Sequence, residues 1–170
     1  VGEILFRTKL SENLFKGLSP WLAKLPGGLI HVNVVGCGLF AAISGSSAAT
    51  VATVGKMSIP ELRKRKYPEK ILLGSLAGSG TLGLLIPPSI ILIIYGVTIE
   101  DSIAKLFMAG ILPGIMLAII FMLYVVFWSI LNKNLMPKIS ENYSFLEKIK
   151  KSKQLLPVVL LIVAVIGSIY

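Results

Sequence analysis

Charged residues divide the chain into four long uncharged runs. These cover residues 25–55, 71–99, 106–132 and 154–170, and they are 31, 29, 27 and 17 residues long. A helix needs about 20 apolar residues to cross the hydrocarbon of a bilayer. Three of the runs are long enough and the fourth is nearly so, and the pattern therefore predicts an integral membrane protein built of helices.

Small and helix-breaking residues interrupt the first two runs. The first run contains the sequence SGSSAAT at residues 44–50, and the second contains three glycines within residues 78–83 followed by Pro87 and Pro88. Proline removes an amide donor and clashes with the preceding turn of a helix. Non-helical backbone is tolerated at membrane depth only where protein or a water-filled cavity surrounds it. We therefore expect a turn between two half-helices in the first run and a broken helix in the second.

Lysine and arginine accumulate in three loops, and this bias assigns each loop to a side of the membrane. Residues 56–70 and 133–153 each hold six basic residues against two acids, and the N-terminal stretch is also basic. The short connection after the second run holds Glu100 and Asp101 against one lysine. All three basic loops lie on the cytoplasmic side only if the run at 25–55 enters and leaves by the same face, as a re-entrant hairpin.

The pattern predicts seven segments. One of them is an outer helix at 98–107, which Thr98 would cap and whose first turn would hold Glu100 and Asp101. They are an interfacial helical arm at 1–28, a cytoplasm-facing re-entrant hairpin at 29–55, a discontinuous transmembrane helix at 70–97 with half-helices near 70–78 and 88–97 joined by extended backbone, an outer amphipathic helix at 98–107, a transmembrane helix at 108–132, a basic cytoplasmic segment at 133–154 that includes a second interfacial helix, and the start of a further transmembrane helix at 155–170.

Composition agrees with a membrane protein and argues against several other partners. Hydrophobic residues make up 55% of the chain, charged residues make up 15%, and the net charge is +9. The basic residues lack interleaved aromatic residues on which bases could stack, so nucleic acid is not an expected partner. With Cys37 as its one cysteine, the chain has no internal disulfide or multi-cysteine metal site.

Two motifs suggest enzymes, but their context argues against both. The GxGxxG spelling at residues 78–83 is that of dinucleotide sites, yet it lies in a membrane segment without the strand that such a site needs. His31 with Ser46 or Ser47 lacks the acid and the GxSxG elbow of a serine hydrolase. All eight acidic residues fall outside the uncharged runs, so paired carboxylates for catalysis or metal binding are not expected there. The chain is not expected to be an enzyme.

Hydroxyl groups and backbone carbonyls at the two breaks are the remaining candidates for chemistry. Unwound carbonyls and half-helix C-termini supply oxygen ligands for Na⁺, and half-helix N-termini attract carboxylates. A pair of breaks therefore suits a sodium ion beside an anionic substrate. Small residues also let membrane helices pack closely without any ion. From the residues alone, a non-transporting membrane assembly piece stays open as the alternative.

Five motifs resemble, in order and spacing, the large membrane subunit of the tripartite ATP-independent periplasmic (TRAP) transporters. They are residues 25–28 (LPGG), 43–50 (ISGSSAAT), 80–89 (GTLGLLIPPS), 93–96 (IIYG) and 106–114 (LFMAGILPG). The resemblance covers nearly the whole chain and corresponds to most of the first half of that subunit. It implies half of an inverted-repeat, elevator-type fold in the cell inner membrane, driven by a Na⁺ gradient and importing an organic acid such as a C4-dicarboxylate or a sialic acid. It also implies two partners, a small membrane subunit and a soluble substrate-binding protein, and no organic cofactor.

The resemblance also implies the positions of the site residues, in agreement with the two breaks. Sodium would lie between the hairpin tip and the broken helix, at Ser44, Gly45, Ser46, Ser47, Gly78, Gly80, Thr81 and Gly83. The organic anion would lie beside it, at Ser47, Thr50, Pro87, Pro88 and Ser89. No catalytic residue and no metal other than sodium is expected.

Overall fold

The computed structural model describes residues 10–137 and 151–167, and within these ranges it contains helices and no β-strand. The α-helices are α1 (Leu10–Leu22), α2 (His31–Ser44), α3 (Ser47–Lys64), α4 (Glu69–Gly80), α5 (Leu82–Leu85), α6 (Ile90–Thr98), α7 (Ile103–Leu131) and α8 (Leu156–Gly167). Short 3-10 turns lie at Gly28–Ile30, Lys133–Leu135 and Lys153–Leu155. The all-α class that the sequence predicts is confirmed for the described residues.

A two-residue turn joins α2 to α3. Gly45 ends α2 in the left-handed region, with φ 62°, and its amide donates to Ala41 O at 3.1 Å. Ser46 is extended and caps α3, because its hydroxyl accepts a hydrogen bond from the Ala49 amide at 3.4 Å. Glycine adopts left-handed backbone without steric cost, and serine is a preferred N-cap. The sequence Gly-Ser is therefore sufficient to end one helix and begin the next.

α4 runs parallel to α2. The Asn33 amide donates to the Ser75 hydroxyl at 3.0 Å, across 42 residues of sequence. One turn further along both helices, the Cys37 thiol contacts the Ser79 hydroxyl with the same offset. A constant offset means that the two helices advance in the same direction and in a fixed register.

α4 runs antiparallel to α3. A Cβ added to Gly55 would lie 2.9 Å from Leu76 Cδ2, and one added to Gly80 would overlap Val51. Residue numbers along α4 therefore increase as the residue numbers of its contacts along α3 decrease. Because α4 is parallel to α2, the arms α2 and α3 are antiparallel to each other, and they form a helical hairpin with α4 packed along it.

The open ends of the two arms are tied together at the base of the hairpin. The Leu29 amide donates to the Tyr67 hydroxyl at 3.1 Å. After α3 ends at Lys64, Lys66 adopts the left-handed region at φ 61°. The Lys66 amide donates to Arg63 O and the Tyr67 amide donates to Leu62 O. This is a Schellman motif. It turns the chain so that it leaves the hairpin beside the point where it entered.

The second uncharged run is broken, but later than the sequence predicts. Helix α4 passes through the glycines to Gly80, Thr81 forms a turn, the short α5 follows, and the chain departs from helical backbone at residues 86–89. The expectation of extended backbone from residue 78 is wrong. A glycine weakens a helix by only about 1 kcal/mol, whereas Pro87 and Pro88 lack amide donors and force extended backbone on the residue before them. Ile86 accordingly has φ −76° and ψ 122°.

The connection after α6 is a turn instead of a helix. The helix expected at 98–107 is wrong, because Thr98 ends α6 and α7 begins only at Ile103. The Thr98 hydroxyl donates to Ile94 O at 2.8 Å inside α6, so it does not cap a new helix. Glu100 has φ 56° and turns the chain toward α7.

Other boundaries differ in part from the expected segments. α3 continues past residue 55 to Lys64, because Lys, Arg and Glu are good helix formers and charge does not end a helix. α1 lies within the arm expected at 1–28, and α8 lies within the final run. Residues 1–9, 138–150 and 168–170 of the expected segments lie outside the described residues, including most of the second interfacial helix.

Two helical stretches of the described chain are long and apolar enough to cross a membrane. They are Glu69–Thr98, which includes the break, and Ile103–Leu131. Many large apolar side chains on α6 and α7 are exposed, with Leu112 at 76% as an example. Exposed apolar surface of this extent suits helices that face lipid or further protein within a membrane.

Candidate functional site

The hairpin tip, residues 44–50, touches the break at residues 86–89. This break lies in the stretch Glu69–Thr98, which contains the second uncharged run and is called the second span below. The amide of Ile90, the first residue of α6, donates to Gly45 O at 3.1 Å. A Cβ on Gly45 would overlap Pro88 O, and the φ of 62° disfavours other residues independently. Gly45 therefore sets how closely the tip approaches the start of α6.

α5 lies against the first turn of α3. A Cβ on Gly83 would be 2.9 Å from Ser47 N and 3.0 Å from Ser46 C, both of which are backbone atoms. A Cβ on Gly80 would lie 3.8 Å from Ser47 O in addition to overlapping Val51. The glycines of the second span thus bring its backbone directly against the backbone of the tip.

α7 holds the break from the other side. A Cβ on Gly110 would be 2.6 Å from Leu85 O, and a Cβ on Gly114 would be 3.0 Å from Ile86 Cγ1. Small residues four apart let membrane helices approach closely. The break between α5 and α6 is therefore enclosed by the hairpin tip on one side and by α7 on the other.

Helix ends of both polarities meet at this contact. The N-termini of α3 and α6 are capped by Ser46 and Ser89, whose hydroxyls accept hydrogen bonds from the Ala49 and Leu92 amides at 3.4 Å. The C-terminal end of α2 lies beside the start of α6, where Ile90 N donates to Gly45 O. A helix carries about half a positive charge at its N-terminus and about half a negative charge at its C-terminus. The contact therefore offers partial charges that suit a cation and an anion at neighbouring positions.

Hydroxyl groups of the tip form a cluster. The Ser44 and Thr50 hydroxyls share a hydrogen bond of 2.8 Å, and Ser44 Oγ also donates to Ser46 O at 3.3 Å. Thr50 is fully buried, whereas Ser44, Ser46 and Ser47 are partly exposed. Hard cations prefer such oxygen ligands. The structure thus brings together the predicted tip residues and, through Gly80 and Gly83, part of the second span.

Two predicted ion ligands lie away from this cluster. A Cβ on Gly78 would be 3.2 Å from Phe121 Cε1, so Gly78 faces α7. The Thr81 side chain is exposed, and its hydroxyl donates to Gly78 O at 2.7 Å. A role for either residue as a sodium ligand stays a prediction.

The residues predicted for the substrate are divided between the tip and the break. Pro88 contacts the tip through its carbonyl, and Pro87 is buried. Ser89 is fully buried, and its hydroxyl donates to Leu84 O at 2.7 Å in addition to capping α6. Ser89 therefore stabilises the break itself, and Ser47 offers the more accessible hydroxyl.

Sequence reasoning missed two groups of residues around the contact. One is the pair Gly110 and Gly114, whose four-residue spacing is a signal for close helix packing. The other is Asn33 with Ser75 and Ser79, a buried hydrogen-bonded group between α2 and α4. Its signal was an isolated amide in an apolar helix and two hydroxyls four residues apart.

The contact is built from neutral side chains and backbone. Residues 44–50 and 80–89 contain no ionisable carboxylate, amine or imidazole. Across the part of the chain that the structure describes, no three His, Cys, Asp or Glu side chains are grouped to hold a metal ion. A cation at this contact would be bound by hydroxyl and carbonyl oxygens together with the partial charge of helix ends.

Comparison with known proteins gives one consistent result. All of residues 1–170 match the family described as tripartite ATP-independent periplasmic transporter, DctM component. The C4-dicarboxylate TRAP transporter large permease protein DctM of Pseudomonas aeruginosa is 40% identical over 170 residues, covering 99% of this chain and 39% of the relative. The ectoine/5-hydroxyectoine large permease protein UehC of Ruegeria pomeroyi is 32% identical over 169 residues, with the same coverage of 99% and 39%.

A shorter match extends the range of named substrates. The sialic acid TRAP transporter permease protein SiaT of Haemophilus influenzae is 39% identical over 113 residues, covering 66% of this chain and 18% of the relative. The chain spans about two-fifths of the length of the relatives that it matches from end to end. These relatives are named as transporter permeases and not as enzymes, which agrees with the expectation from the sequence.

Proposed function

The chain belongs to the DctM family of tripartite ATP-independent periplasmic transporter components, and on that premise we propose that it forms the sodium-coupling part of a large permease subunit that imports an organic acid. The observation that carries the proposal is the contact between the hairpin tip and the break. Gly45 O bonds the first amide of α6, and Gly83 lies against the backbone of Ser47. Non-helical backbone is unfavourable in a membrane unless its polar groups have partners, and a bound ion would be such a partner at these two facing breaks.

In this proposal the hairpin is re-entrant from the cytoplasmic side. Its base carries the basic residues at 63–66, whereas Glu100 and Asp101 follow the opposite end of α6. Positive residues favour the cytoplasmic side. The 14 residues of α2 extend about 21 Å at 1.5 Å per residue, which is less than the hydrocarbon thickness of about 30 Å. The tip would therefore end inside the membrane, beside the break.

The proposed sodium ligands are oxygens of the tip and of the facing span. They are the hydroxyls or carbonyls of Ser44, Gly45, Ser46 and Ser47 with the carbonyls near Gly80 and Gly83. The C-terminal end of α2 adds partial negative charge. Thr81 and Gly78 are lesser candidates in this arrangement, because they bond each other away from the tip.

The proposed substrate is an organic anion at the N-termini of α3 and α6. Ser47, Thr50 and Pro88 are the proposed substrate contacts, and Thr50 is buried and bonded to Ser44 in the structure. Neither terminus has a neighbouring acid within residues 44–53 or 86–98. C4-dicarboxylate and sialic acid, named for relatives, are anions at neutral pH. The same proposal includes two partners, a small membrane subunit and a soluble substrate-binding protein. It also includes the inner membrane as the location, and elevator-type movement of half an inverted repeat. They rest on family membership.

The alternative is a membrane assembly piece in which small residues serve only helix packing. The close approaches at Gly83, Gly110 and Gly114 favour it, since each is a packing contact. It predicts that substitutions at the tip alter assembly and leave ion affinity unchanged. Sodium dependence therefore separates the two candidates.

We expect Ser47→Ala to raise the sodium concentration needed for half-maximal uptake by about five-fold or more. The reason is the loss of one hydrogen-bond or ion contact with a charged group, which contributes about 1 kcal/mol or more. Thr81→Ala should have a smaller effect than Ser47→Ala, because the Thr81 hydroxyl already bonds Gly78 O on an exposed side. The measurement is substrate uptake into proteoliposomes by the assembled transporter at graded Na⁺, with constant ionic strength.

Ser58→Ala is the matched control, since Ser58 Oγ is buried in α3 without a hydrogen-bond partner and lies more than two turns from the tip. Equal sodium dependence of Ser47→Ala and the wild type would remove Ser47 from the site. Assembly defects with unchanged sodium dependence would favour the packing alternative.

A further inference from the structure

A buried polar group links the first arm of the hairpin to the second span far from the tip. Asn33 in α2 donates through Nδ2 to Leu72 O at 3.1 Å and to Ser75 Oγ at 3.0 Å. Ser79 Oγ donates to Ser75 O at 2.6 Å and approaches Asn33 O at 3.4 Å. Asn33 and Ser79 are fully buried and Ser75 is 5% exposed.

The surroundings of this group are apolar. The neighbouring residues of α2 and α4, such as Val32, Leu72 and Leu76, belong to the buried hydrophobic core. A buried amide costs free energy unless it is hydrogen-bonded. Displacing α2 along α4 would break the bonds from Asn33 Nδ2 to Leu72 O and Ser75 Oγ. The group therefore favours the observed register of the two helices.

The packing of α2 on the second span extends from Asn33 to the candidate site. A Cβ on Gly38 would lie 3.9 Å from Leu82 Cδ1, and Gly45 meets Pro88 at the tip. The tip lies 12 residues beyond Asn33, which is about 18 Å along a helix. A slip of one turn would move the tip by about 5.4 Å and would break the 3.1 Å bond between Ile90 N and Gly45 O.

Asn33 also carries a cost that argues against a purely stabilising role. Its Oδ1 is buried and has no hydrogen-bond partner. An unsatisfied buried acceptor is destabilising, and an apolar residue of similar shape is often neutral or better at such a position. A single buried asparagine that fixes helix register at a cost in stability is known from coiled coils.

We propose that Asn33 is a positioning residue, whose bonds to Leu72 and Ser75 hold the hairpin tip in register with the helix break. The expected effect of Asn33 on sodium dependence rests on the proposed function. The positioning of the tip by Asn33 does not. Asn33 acts through Gly45 and Ser47 and touches neither ion nor substrate.

The test separates position from stability with Asn33→Leu in the assembled transporter. We expect the apparent melting temperature to stay equal or rise, because the unpaired Oδ1 is removed, while the sodium concentration for half-maximal uptake rises about five-fold or more. Ser75→Ala should have a smaller effect, since Leu72 O still accepts from Asn33. Ser58→Ala also removes a buried hydroxyl without a partner, so it should melt at the same or a higher temperature while keeping the sodium dependence of the wild type.

A second readout does not depend on sodium. Ser47→Cys in a Cys37→Ala background reports the packing of the tip on Gly83 through its rate of reaction with a soluble thiol reagent. We expect Asn33→Leu to change this rate several-fold and Ser58→Ala to leave it unchanged. A sodium-independent wild type would contradict the proposed function alone. An unchanged labelling rate in Asn33→Leu, or a loss of uptake that merely follows a loss of melting temperature, would overturn the positioning role.

Discussion

Replacing Gly83 by alanine is expected to reduce sodium-driven uptake by about ten-fold or more. The new Cβ would lie 2.9 Å from Ser47 N and 3.0 Å from Ser46 C. These are backbone atoms at the start of a helix, so they cannot rotate away as a side chain can. Overpacking of this kind costs about 1–3 kcal/mol, and about 1.4 kcal/mol is a factor of ten in an equilibrium. The cost is relieved only by moving α5 off the hairpin tip.

Gly74→Ala is the matched control for this prediction. Gly74 lies in α4 of the same span, and a Cβ there would meet nothing within 4 Å. Alanine is a better helix former than glycine by about 1 kcal/mol, so this variant should transport normally and melt at the same or a higher temperature. Uptake by Gly83→Ala at the level of Gly74→Ala would show that the tip does not need its close contact with α5.

Gly45→Ala is expected to have a comparable or larger effect, because two separate penalties combine. Left-handed backbone at φ 62° costs a non-glycine residue about 1–2 kcal/mol. The Cβ would also overlap Pro88 O, which belongs to the break itself. The bond from Ile90 N to Gly45 O would be lost as the two segments separate. Uptake should fall by more than about ten-fold, with a lower melting temperature.

Gly38→Ala provides the comparison in the same hairpin arm. Its Cβ would lie 3.9 Å from Ile86 Cδ1 and Leu82 Cδ1, which is ordinary van der Waals contact. Gly38→Ala should therefore keep the uptake and the melting temperature of the wild type, whereas Gly45→Ala should lower both. If Gly45→Ala behaved like Gly38→Ala, the tip would not be held against α6 in the way described.

The hairpin and the break were both predictable from local chemistry. Gly45 and Ser46 are strong signals for ending one helix and starting another, and Pro87 with Pro88 cannot continue a helix. The helix turn and the helix break each depend on one or two adjacent residues, and the structure contains both of them. Charge in the loops also favours a hairpin that enters and leaves by the same membrane face, and this part stays a prediction.

The ends of helices near small residues were not predictable in the same way. The glycines at 78–83 predict the start of the break, but Gly78 and Gly80 are helical in the structure, where they face Phe121 and Val51. Thr98 predicts the cap of a new helix, yet its hydroxyl bonds Ile94 O within α6. Threonine serves both purposes. Contacts made by distant residues decide between them.

The candidate site was predictable by segment but not by residue. The tip residues and Gly83 meet as the resemblance implies, whereas Gly78 turns to α7 and Thr81 to its own helix. Gly110, Gly114 and Asn33 contribute from segments that local signals marked as ordinary helix. Their importance depends on which face of each helix meets the break, and that is fixed only when the helices pack.

The central claim is that the contact of hairpin tip and helix break binds sodium. Its most direct test is the melting temperature of the purified, assembled transporter as Na⁺ replaces K⁺ at constant ionic strength. A ligand at about 100 times its dissociation constant stabilises the folded state by about 2.7 kcal/mol. We predict a saturable rise for the wild type and for Gly74→Ala, and a much weaker rise for Gly83→Ala. Equal melting temperatures in Na⁺ and K⁺ for the wild type, or an undiminished rise in Gly83→Ala, would contradict the claim.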